Sequence, residues 1–450
     1  MNNSYYGQGP PGPPYQQPHS PYPPQQGYPP PQQSYGQPGQ APPMNQGFYG
    51  GGPPQGPPFP PQGPPPNHGS YGQPPPNQWN QPPPGQWNQQ PPPNQYNAPP
   101  PPQSQGYGAP QQQFGYGAPA APAPPSPGYV PGQQSQMDMS QAAHGLRAAM
   151  KGFGTDEKAL IRILGQLGPL EINSVKSAFA IQLHRDLMKD IHSETSGNFR
   201  EGLEAIVRGP LDQDCHVLYE AIKGLGTKET ALNDVLLSRS NADINAIKTH
   251  YQHTYRRTLE SDVKGDLSAK TERLFDMVMS ARRQEESAPI VPQQIEADVA
   301  ELYKATEARM GADQLTVCSI ISSRSNGQLR AIAQQYRQKY HRSLEEVIRK
   351  DFSGHMEDAL LFMVRAAEDP AKHDADLLED AMRGMGTNDS ALIRRIVMIH
   401  WNRDRLQQCK AAYKHFYKRD LAERIRSETR GDYEKLMLAC ISATPPTGGY

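Results

Sequence analysis

A short segment with two glycines and a threonine occurs three times in closely matching form. It reads AMKGFGTDEKAL at 149–160, AIKGLGTKETAL at 221–232 and AMRGMGTNDSAL at 381–392, and a weaker copy, EARMGADQLTV, lies at 307–317. Glycine adopts positive φ angles without a steric penalty, so two of them let a loop turn its carbonyl oxygens toward one point. Such a loop can hold a cation through backbone oxygens.

A single acid follows each loop at a nearly constant distance. The separation from the last glycine of the loop is 40 residues in the first three repeats and 42 in the fourth, and the acids are Glu194, Asp266, Asp351 and Glu428. The two additional residues lie upstream of Leu421, near 399–405, because the separation from leucine to acid stays at seven. Calcium takes about six to eight oxygen ligands, often with one bidentate carboxylate. The pattern therefore predicts a weak calcium site with positions left open to water or phosphate oxygens.

Two other interpretations of the loop were weighed against the calcium site. It could be a purely structural turn, with a glycine that ends one helix and a threonine that starts the next. A phosphate-binding loop is excluded because GxxxxGK[ST] is absent and no strand precedes the segment. The repeated acid favours calcium over the structural turn. Under either the calcium-site or the structural-turn interpretation, we expect Thr155, Thr227 and Thr387 to be helix N-caps.

The loops also carry an apolar residue between the glycines and a basic residue before them. An apolar side chain at a loop tip either packs in the core or meets lipid, and a basic one is either solvated or binds headgroup phosphates. The apolar residues are Phe153, Leu225 and Met385, and the basic residues are Lys151, Lys223 and Arg383.

Charge divides the chain into two parts. Residues 1–137 contain no Asp, Glu, Lys or Arg, so all 44 basic and 45 acidic residues of the 450-residue chain lie in 138–450. The net charge of −1 argues against binding to nucleic acid or anionic lipid through excess basic charge, and no specific nucleic acid is predicted as a partner. Three bound calcium ions would add about six positive charges and supply that attraction.

The uncharged segment 1–137 is rich in Pro, Gly, Gln and Tyr and has few aliphatic side chains to bury, so we predict that it is disordered. PPPNQWN at 74–80 recurs as PPPGQWN at 82–88 and PPPNQYN at 91–97. This composition suits weak multivalent contacts and self-association, or a solvated spacer. The segment SPYPPQQGYPP, with Tyr22-Pro23 and Tyr28-Pro29, is loosely similar to the ligands of penta-EF-hand proteins.

Apolar residues of the charged part recur at helical spacing, as in Leu160, Ile161, Leu164 and Leu167. We predict an all-α fold with about five helices in each of four repeats. The expected bounds are 138–209 and 210–283 for repeats 1 and 2, 284–294 for a linker, 295–368 and 369–443 for repeats 3 and 4, and 444–450 for a C-terminal tail.

Several classes of protein are disfavoured. No stretch has the length and apolarity of a signal peptide or a membrane-spanning helix. The four cysteines, Cys215, Cys318, Cys409 and Cys440, show no metal spacing and are expected as buried or free thiols in a reducing compartment, by default the cytoplasm. No catalytic arrangement of residues stands out, so an enzyme is not predicted.

The loop motif and its acid, repeated four times over about 142–443, resemble the annexins. The long tail is similar to those of synexin-type and fungal annexins. The resemblance implies a curved disc of four five-helix repeats that binds calcium (Ca2+) on its convex face. The implied ligands are Met150, Gly152, Gly154 and Glu194 in repeat 1, Ile222, Gly224, Gly226 and Asp266 in repeat 2, and Met382, Gly384, Gly386 and Glu428 in repeat 4.

Repeat 3 departs from the annexin pattern. Arg309 stands where the first glycine is expected and Ala312 replaces the threonine, although Gly311 and Asp351 remain. We therefore predict a weak or empty site there.

The function implied is calcium-dependent binding to anionic phospholipid membranes of the phosphatidylserine type. The protein is expected to be cytoplasmic and to become peripheral to a membrane when calcium is present. The tail could promote vesicle aggregation or tethering. An alternative is a tail-driven condensate or RNA-granule scaffold that uses the helical core as a membrane adaptor.

Overall fold

The computed structural model describes residues 120–442 apart from Leu225 and Arg309. The predictions of disorder, self-association, condensate formation and penta-EF-hand binding concern the tail and fall almost entirely on 1–119, outside the described residues. The expected C-terminal tail, 444–450, also lies outside them.

The described chain folds into nineteen α-helices and contains no strand. Repeat 1 contains α1 (Ser140–Ala149), α2 (Glu157–Leu164), α3 (Pro169–Leu183), α4 (Leu187–Glu194) and the first half of α5 (Gly197–Ile222). Repeat 2 contains the second half of α5, α6 (Glu229–Leu236), α7 (Asn241–Tyr255), α8 (Leu259–Asp266) and α9 (Ala269–Met279). Repeat 3 contains α10 (Pro292–Ala305), α11 (Gln314–Ser323), α12 (Asn326–Tyr340), α13 (Leu344–Asp351) and α14 (Gly354–Glu368). Repeat 4 contains α15 (Pro370–Met382), α16 (Asp389–His400), α17 (Arg403–Tyr417), α18 (Leu421–Glu428) and α19 (Gly431–Ser442). The all-α class and the four repeats are confirmed.

Helix α5 is kinked between repeats 1 and 2, where its backbone leaves the helical conformation. Gly209 has a φ of 75°, a conformation that favours glycine, and Pro210 follows it. Proline cannot donate to the preceding turn, so a new helix direction starts there. The two halves of α5 thus complete five helices in each of the first two repeats.

The helices after the loops begin one residue later than predicted. The side chains of Asp156 and Asn388 cap α2 and α16 by accepting from the amides of Ala159 and Ala391, at 3.0 and 3.1 Å. The prediction that the threonines are N-caps was therefore wrong by one position, because the preceding threonine hydroxyls point to another partner.

The two additional residues of repeat 4 lie where the spacing located them. From Thr387 to Asn402, the N-cap of α17, the chain advances 15 residues (402 − 387), against 13 (240 − 227) from Thr227 to Ser240, the N-cap of α7. The insertion lengthens α16 to 12 residues, compared with 8 in α6. The loop and the acid of repeat 4 are therefore unaffected.

The apolar core consists of two clusters that do not follow chain order. One combines repeats 1 and 4 and includes Phe179 and Tyr413, and the other combines repeats 2 and 3 and includes Phe275 and Tyr336. The linker at 284–294 separates repeats 1 and 2 from repeats 3 and 4 along the chain, but the packing pairs repeat 1 with repeat 4 and repeat 2 with repeat 3. Bringing together repeats that are distant in the chain costs little additional entropy, because the cost of closing a loop grows slowly with its length. The packing of the helix faces therefore decides which repeats share a core.

Charged groups join repeats 2 and 4 across the boundary between the clusters. Asp234 of α6 accepts hydrogen bonds from Arg394 and Arg395 of α16, the shortest at 2.6 and 2.9 Å. All three side chains are buried. A buried carboxylate is tolerated here because two guanidinium groups replace its hydration.

The last part of the predicted disordered tail, residues 120–137, lies against the helical repeats. The Tyr129 ring is only 4% exposed, and its hydroxyl donates to Asp214 at 2.5 Å. The backbone amide and hydroxyl of Ser126 both donate to Asp243, at 2.7 Å each. An aromatic ring and specific polar partners fix this segment despite its proline-rich composition.

The four cysteines are buried free thiols, as predicted. Among the described helices, none is both long and apolar enough to cross a membrane.

Candidate functional site

Each two-glycine loop joins two helices and is closed by one backbone hydrogen bond. In repeat 1, the Asp156 amide donates to the Ala149 carbonyl at 2.8 Å. Between them Gly152 and Gly154 have φ angles of 116° and 87°. The loops of repeats 2 and 4 repeat this geometry, with closing bonds of 2.9 and 2.8 Å that join Lys228 to Ala221 and Asn388 to Ala381.

The threonine of each loop contacts the distant acid that spacing had paired with it. Thr155 donates to the carbonyl and carboxylate of Glu194, at 3.1 and 3.2 Å. Thr227 donates to Asp266 in the same two ways, at 3.1 and 2.6 Å. Thr387 donates to the carboxylate of Glu428 at 2.9 Å. Three loops are thus held directly beside their acids.

The donors near each acid suit a hard cation. Among the described residues, no group of three or more His, Cys, Asp or Glu side chains could hold a metal. A cation would therefore depend on backbone carbonyls plus one carboxylate, a donor set that calcium accepts. A Cβ added at Gly152, Gly154, Gly224 or Gly226 would meet nothing within 4 Å. The loops of repeats 1 and 2 are open and fit such an ion.

The side chains at the loop tips point into solvent. Phe153 and Met385 are 112% and 108% exposed, so neither packs in the core. Leu225 lies outside the described residues. Of the predicted basic neighbours, Lys151 is exposed, Lys223 lies 3.6 Å from Glu220, and Arg383 lies 2.9 Å from Asp380.

The residue two positions before the first glycine of each loop has a side chain that packs in the core and a carbonyl that is a candidate calcium ligand. The side chains of Met150 and Met382 are buried, and Ile222 packs against the other core cluster. Their carbonyls start the loops. Core packing of the side chain thereby fixes the position of a candidate oxygen ligand.

The repeat 3 loop is one residue longer than the others. Its closing bond joins the Asp313 amide to the Ala305 carbonyl at 2.6 Å and encloses eight residue steps instead of seven. Gly311 keeps a positive φ of 82°. Ala312 has no hydroxyl to donate, and a buried Oδ2 of Asp351 has no hydrogen-bond partner. Among the described residues of repeat 3, no bond from a threonine hydroxyl joins the loop to the acid.

Arg424 of α18 is a residue that the sequence analysis missed. Its guanidinium donates to the Met382 carbonyl and to the Glu428 carboxylate, which are both predicted ligands of repeat 4. It also contacts Glu379 at 3.2 Å. The available signal was a charge reversal, because repeats 1 and 2 have Asp190 and Asp262 at this position.

Comparisons with known proteins agree with these repeats. The family model described as Annexin matches residues 141–206, 213–277, 298–363 and 373–440. Annexin C1 of Cryptococcus neoformans is 38% identical over 323 residues, which cover 71% of this chain and 68% of that protein. The chain belongs to the annexin family.

Solved annexin structures have a similar fold to this chain. Annexin III has a TM-score of 0.65 and 27% identity, over 72% of this chain and 98% of that one. A calcium-bound annexin (Sm)1 has a TM-score of 0.61 and 27% identity, over 67% and 89% of the two chains. Each matched segment of this annexin contains one loop and its acid. Membership supports calcium-dependent phospholipid binding in general as its activity.

Proposed function

We propose that this annexin binds Ca²⁺ at the loops of repeats 1, 2 and 4 and thereby docks reversibly on anionic phospholipid membranes. The observation that carries the proposal is the hydrogen bond from Thr155, Thr227 or Thr387 to the paired acid. It brings a carbonyl-rich loop and one carboxylate together three times.

The residues proposed to hold the ion are those that the resemblance to the annexins implies, and the contact between threonine and acid supports them. In repeat 1 they are the carbonyls of Met150, Gly152 and Gly154 with the Glu194 carboxylate. Repeats 2 and 4 offer the equivalent sets that end in Asp266 and Glu428. Few protein charges surround each ion, so the intrinsic affinity should be weak, with a dissociation constant of roughly 10⁻⁵–10⁻³ M.

A bound calcium ion supplies two positive charges and open coordination positions that lipid phosphate oxygens can fill. The chain has a formal net charge of −1, so it offers little attraction to an anionic surface without the ion. Calcium and membrane should therefore bind cooperatively, since each completes a site for the other.

The exposed loop tips add a hydrophobic contribution. Phe153 and Met385 are fully exposed at the loop tips, and Lys151, two residues before Phe153, is also exposed. Once the ion has reached the headgroups, these apolar side chains can enter the interface between headgroups and acyl chains.

A cytoplasmic location and peripheral membrane binding in the presence of calcium are part of the proposal. The buried thiols are consistent with a reducing compartment. No catalytic role is proposed. Vesicle aggregation, self-association and a penta-EF-hand partner remain predictions that depend on the tail.

Co-sedimentation with phosphatidylserine-containing vesicles tests the proposal on the full chain, across calcium concentrations and with chelator. We expect calcium-dependent pelleting that chelator reverses and that the triple variant Glu194→Gln, Asp266→Asn, Glu428→Gln abolishes. The matched control is Glu296→Gln, Glu301→Gln, Asp404→Asn, which removes three exposed acids that lie outside the loops of repeats 1, 2 and 4 and changes net charge equally. Absence of pelleting at millimolar calcium, or equal loss in the control, would contradict the proposal.

A further inference from the structure

We propose that Arg424 serves as an internal cation in repeat 4, where its guanidinium takes the place of Ca²⁺ and makes this loop a weaker calcium site than those of repeats 1 and 2. The inference rests on the proposed function, because it concerns which loops bind the ion.

The position of the guanidinium carries the inference. One nitrogen of Arg424 donates to the carbonyl of Met382, at the start of the loop, and another donates to the carboxylate of Glu428. A cation that uses both oxygens must lie between them, and the guanidinium lies there. An arginine cannot lose its charge under ordinary conditions, so this positive charge is permanent.

Neighbouring side chains hold the guanidinium in place. Its Nε donates to Glu379 of α15 at 3.2 Å, and Glu379 also accepts from the hydroxyl of Tyr413. The Arg424 side chain is only 15% exposed. Several hydrogen bonds to charged partners in a half-buried position are stronger than one surface pair.

Repeat 1 has the opposite arrangement of charges. Arg147 occupies the helix position of Glu379, two residues before the alanine that recurs in each repeat, and Asp190 occupies that of Arg424. The two lie 3.7 Å apart. Arg147 does donate to the Met150 carbonyl at 3.3 Å, but its carboxylate partner is Asp190 and not the loop acid Glu194.

Repeat 2 has no cation in this position either. Asp262 stands where repeat 4 has Arg424, and it pairs with Arg257 at 2.7 Å. Within the described residues, no arginine or lysine lies within salt-bridge distance of Asp266 or Glu194. Among the described residues of repeats 1, 2 and 4, a protein cation joins the first loop carbonyl to the loop acid in repeat 4 alone.

The consequence is a graded set of sites. Calcium at repeat 4 must displace the hydrogen bonds of Arg424 to both ligands, or bind beside a positive charge at short distance. In repeat 1, calcium would displace only the 3.3 Å bond from Arg147 to the Met150 carbonyl, and the described residues of repeat 2 show no such bond to the loop. Repeat 4 should therefore fill only at higher calcium concentration, or when lipid phosphate accepts the displaced guanidinium.

The test measures calcium binding to the full chain by calorimetry and by equilibrium dialysis of radioactive calcium. The background is Glu194→Gln, Asp266→Asn, in which repeat 4 is the remaining complete loop. We expect Arg424→Ala in this background to raise the calcium affinity of repeat 4 at least tenfold. Adding Glu428→Gln should abolish the gain, which assigns it to the same site.

Two further variants separate charge from folding. Arg424→Ala combined with Glu379→Gln avoids an unpaired Glu379 and should show the same gain with an unchanged melting temperature. Arg419→Ala removes an exposed arginine of the same region and should change nothing. Unchanged or lower affinity in both Arg424 variants would overturn the inference. The proposed function is tested separately, by calcium binding to repeats 1 and 2 in the parent chain.

Discussion

The hydroxyl of Thr227 lies 2.6 Å from a carboxylate oxygen of Asp266, although the two residues are 39 positions apart in the chain. The same hydroxyl lies 3.1 Å from the Asp266 carbonyl. The threonine thus fixes both the backbone and the side chain of the acid relative to the loop. One carboxylate oxygen is engaged, and the other remains available to a cation.

This contact predicts a positioning role for the threonine in calcium binding. Replacing Thr227 by Val keeps the shape but removes the hydroxyl, which should cost about 1 kcal/mol, or roughly fivefold in calcium affinity of repeat 2. The measurement is calorimetry in a background of Glu194→Gln, Glu428→Gln. Thr227→Ser keeps the hydroxyl and should bind as the parent does. Equal affinity of the Val and Ser variants would show that the contact has no such role.

The sequence was sufficient to pair the loops of repeats 1, 2 and 4 with their acids. The constant separation of 40 residues identified Glu194, Asp266 and Asp351, and the insertion of repeat 4 did not hide Glu428. Helical periodicity then gave the fold class, because apolar spacing over four similar repeats leaves few alternatives. Local spacing therefore carries most of the information about where the loops lie.

The contacts between distant elements were not predictable in the same way. The hydroxyl of Thr155 was assigned to a helix cap because capping is the commonest local role of threonine, and a partner 39 residues away leaves no local signal. The role of Arg424 could not be predicted, because its contacts with Met382 and Glu428 depend on the direction in which its side chain extends. Similarly, only packing shows that Phe179 and Tyr413 share a cluster.

Repeat 3 offers a prediction about stability. Ala312→Thr would restore a hydroxyl beside Asp351, whose buried Oδ2 has no partner. Satisfying a buried carboxylate oxygen should raise the free energy of unfolding by about 1 kcal/mol. Urea denaturation followed by circular dichroism measures the change. Ala312→Val adds similar volume without a donor, and it should not stabilise. A Val variant as stable as the Thr variant would assign the effect to packing.

The exposed loop tips predict a selective effect on membrane binding. Phe153→Ser and Met385→Ser together should raise the lipid concentration for half-maximal binding about thirtyfold, since each side chain contributes of order 1 kcal/mol when it enters the interface. Calcium affinity without lipid should stay the same. Ile181→Ser removes an apolar residue of α3 that is 69% exposed and should have no effect. Equal losses in all variants would mean that removing any exposed apolar side chain weakens membrane binding.

Three buried histidines predict a dependence of stability on pH. Burial lowers the pKa of His355, His373 and His400 to about 4. In the unfolded chain they bind protons near pH 6.5, so between about 6.5 and 4 the unfolded state holds more protons. The free energy of unfolding should therefore be highest above pH 6.5 and fall as the pH drops toward 4.

Urea denaturation at pH 7.5, 6 and 5 measures this decline. His373→Leu should make it shallower, because the buried Nε2 of His373 has no partner and Phe362 packs against its ring. His253→Gln changes an exposed histidine and should leave the slope as it is. A slope that does not respond to His373→Leu would mean that another group titrates.

The segment 120–137 predicts a local change in protection against proteolysis. Tyr129 is buried, its hydroxyl donates to Asp214, and Arg239 lies 5.7 Å above its ring. Tyr129→Ala removes the aromatic anchor, so proteinase K should cleave within 120–137 at least several-fold faster while the helical repeats stay intact. Val130→Ala alters a residue that is 42% exposed, and this variant should be cleaved at the rate of the parent.

Since Asp214 keeps its bidentate bonds to Arg239, at 2.6 and 2.8 Å, the repeats themselves should lose little stability in Tyr129→Ala. Equal cleavage rates in parent and Tyr129→Ala would show that Ser126 and its contacts to Asp243 suffice to hold the segment.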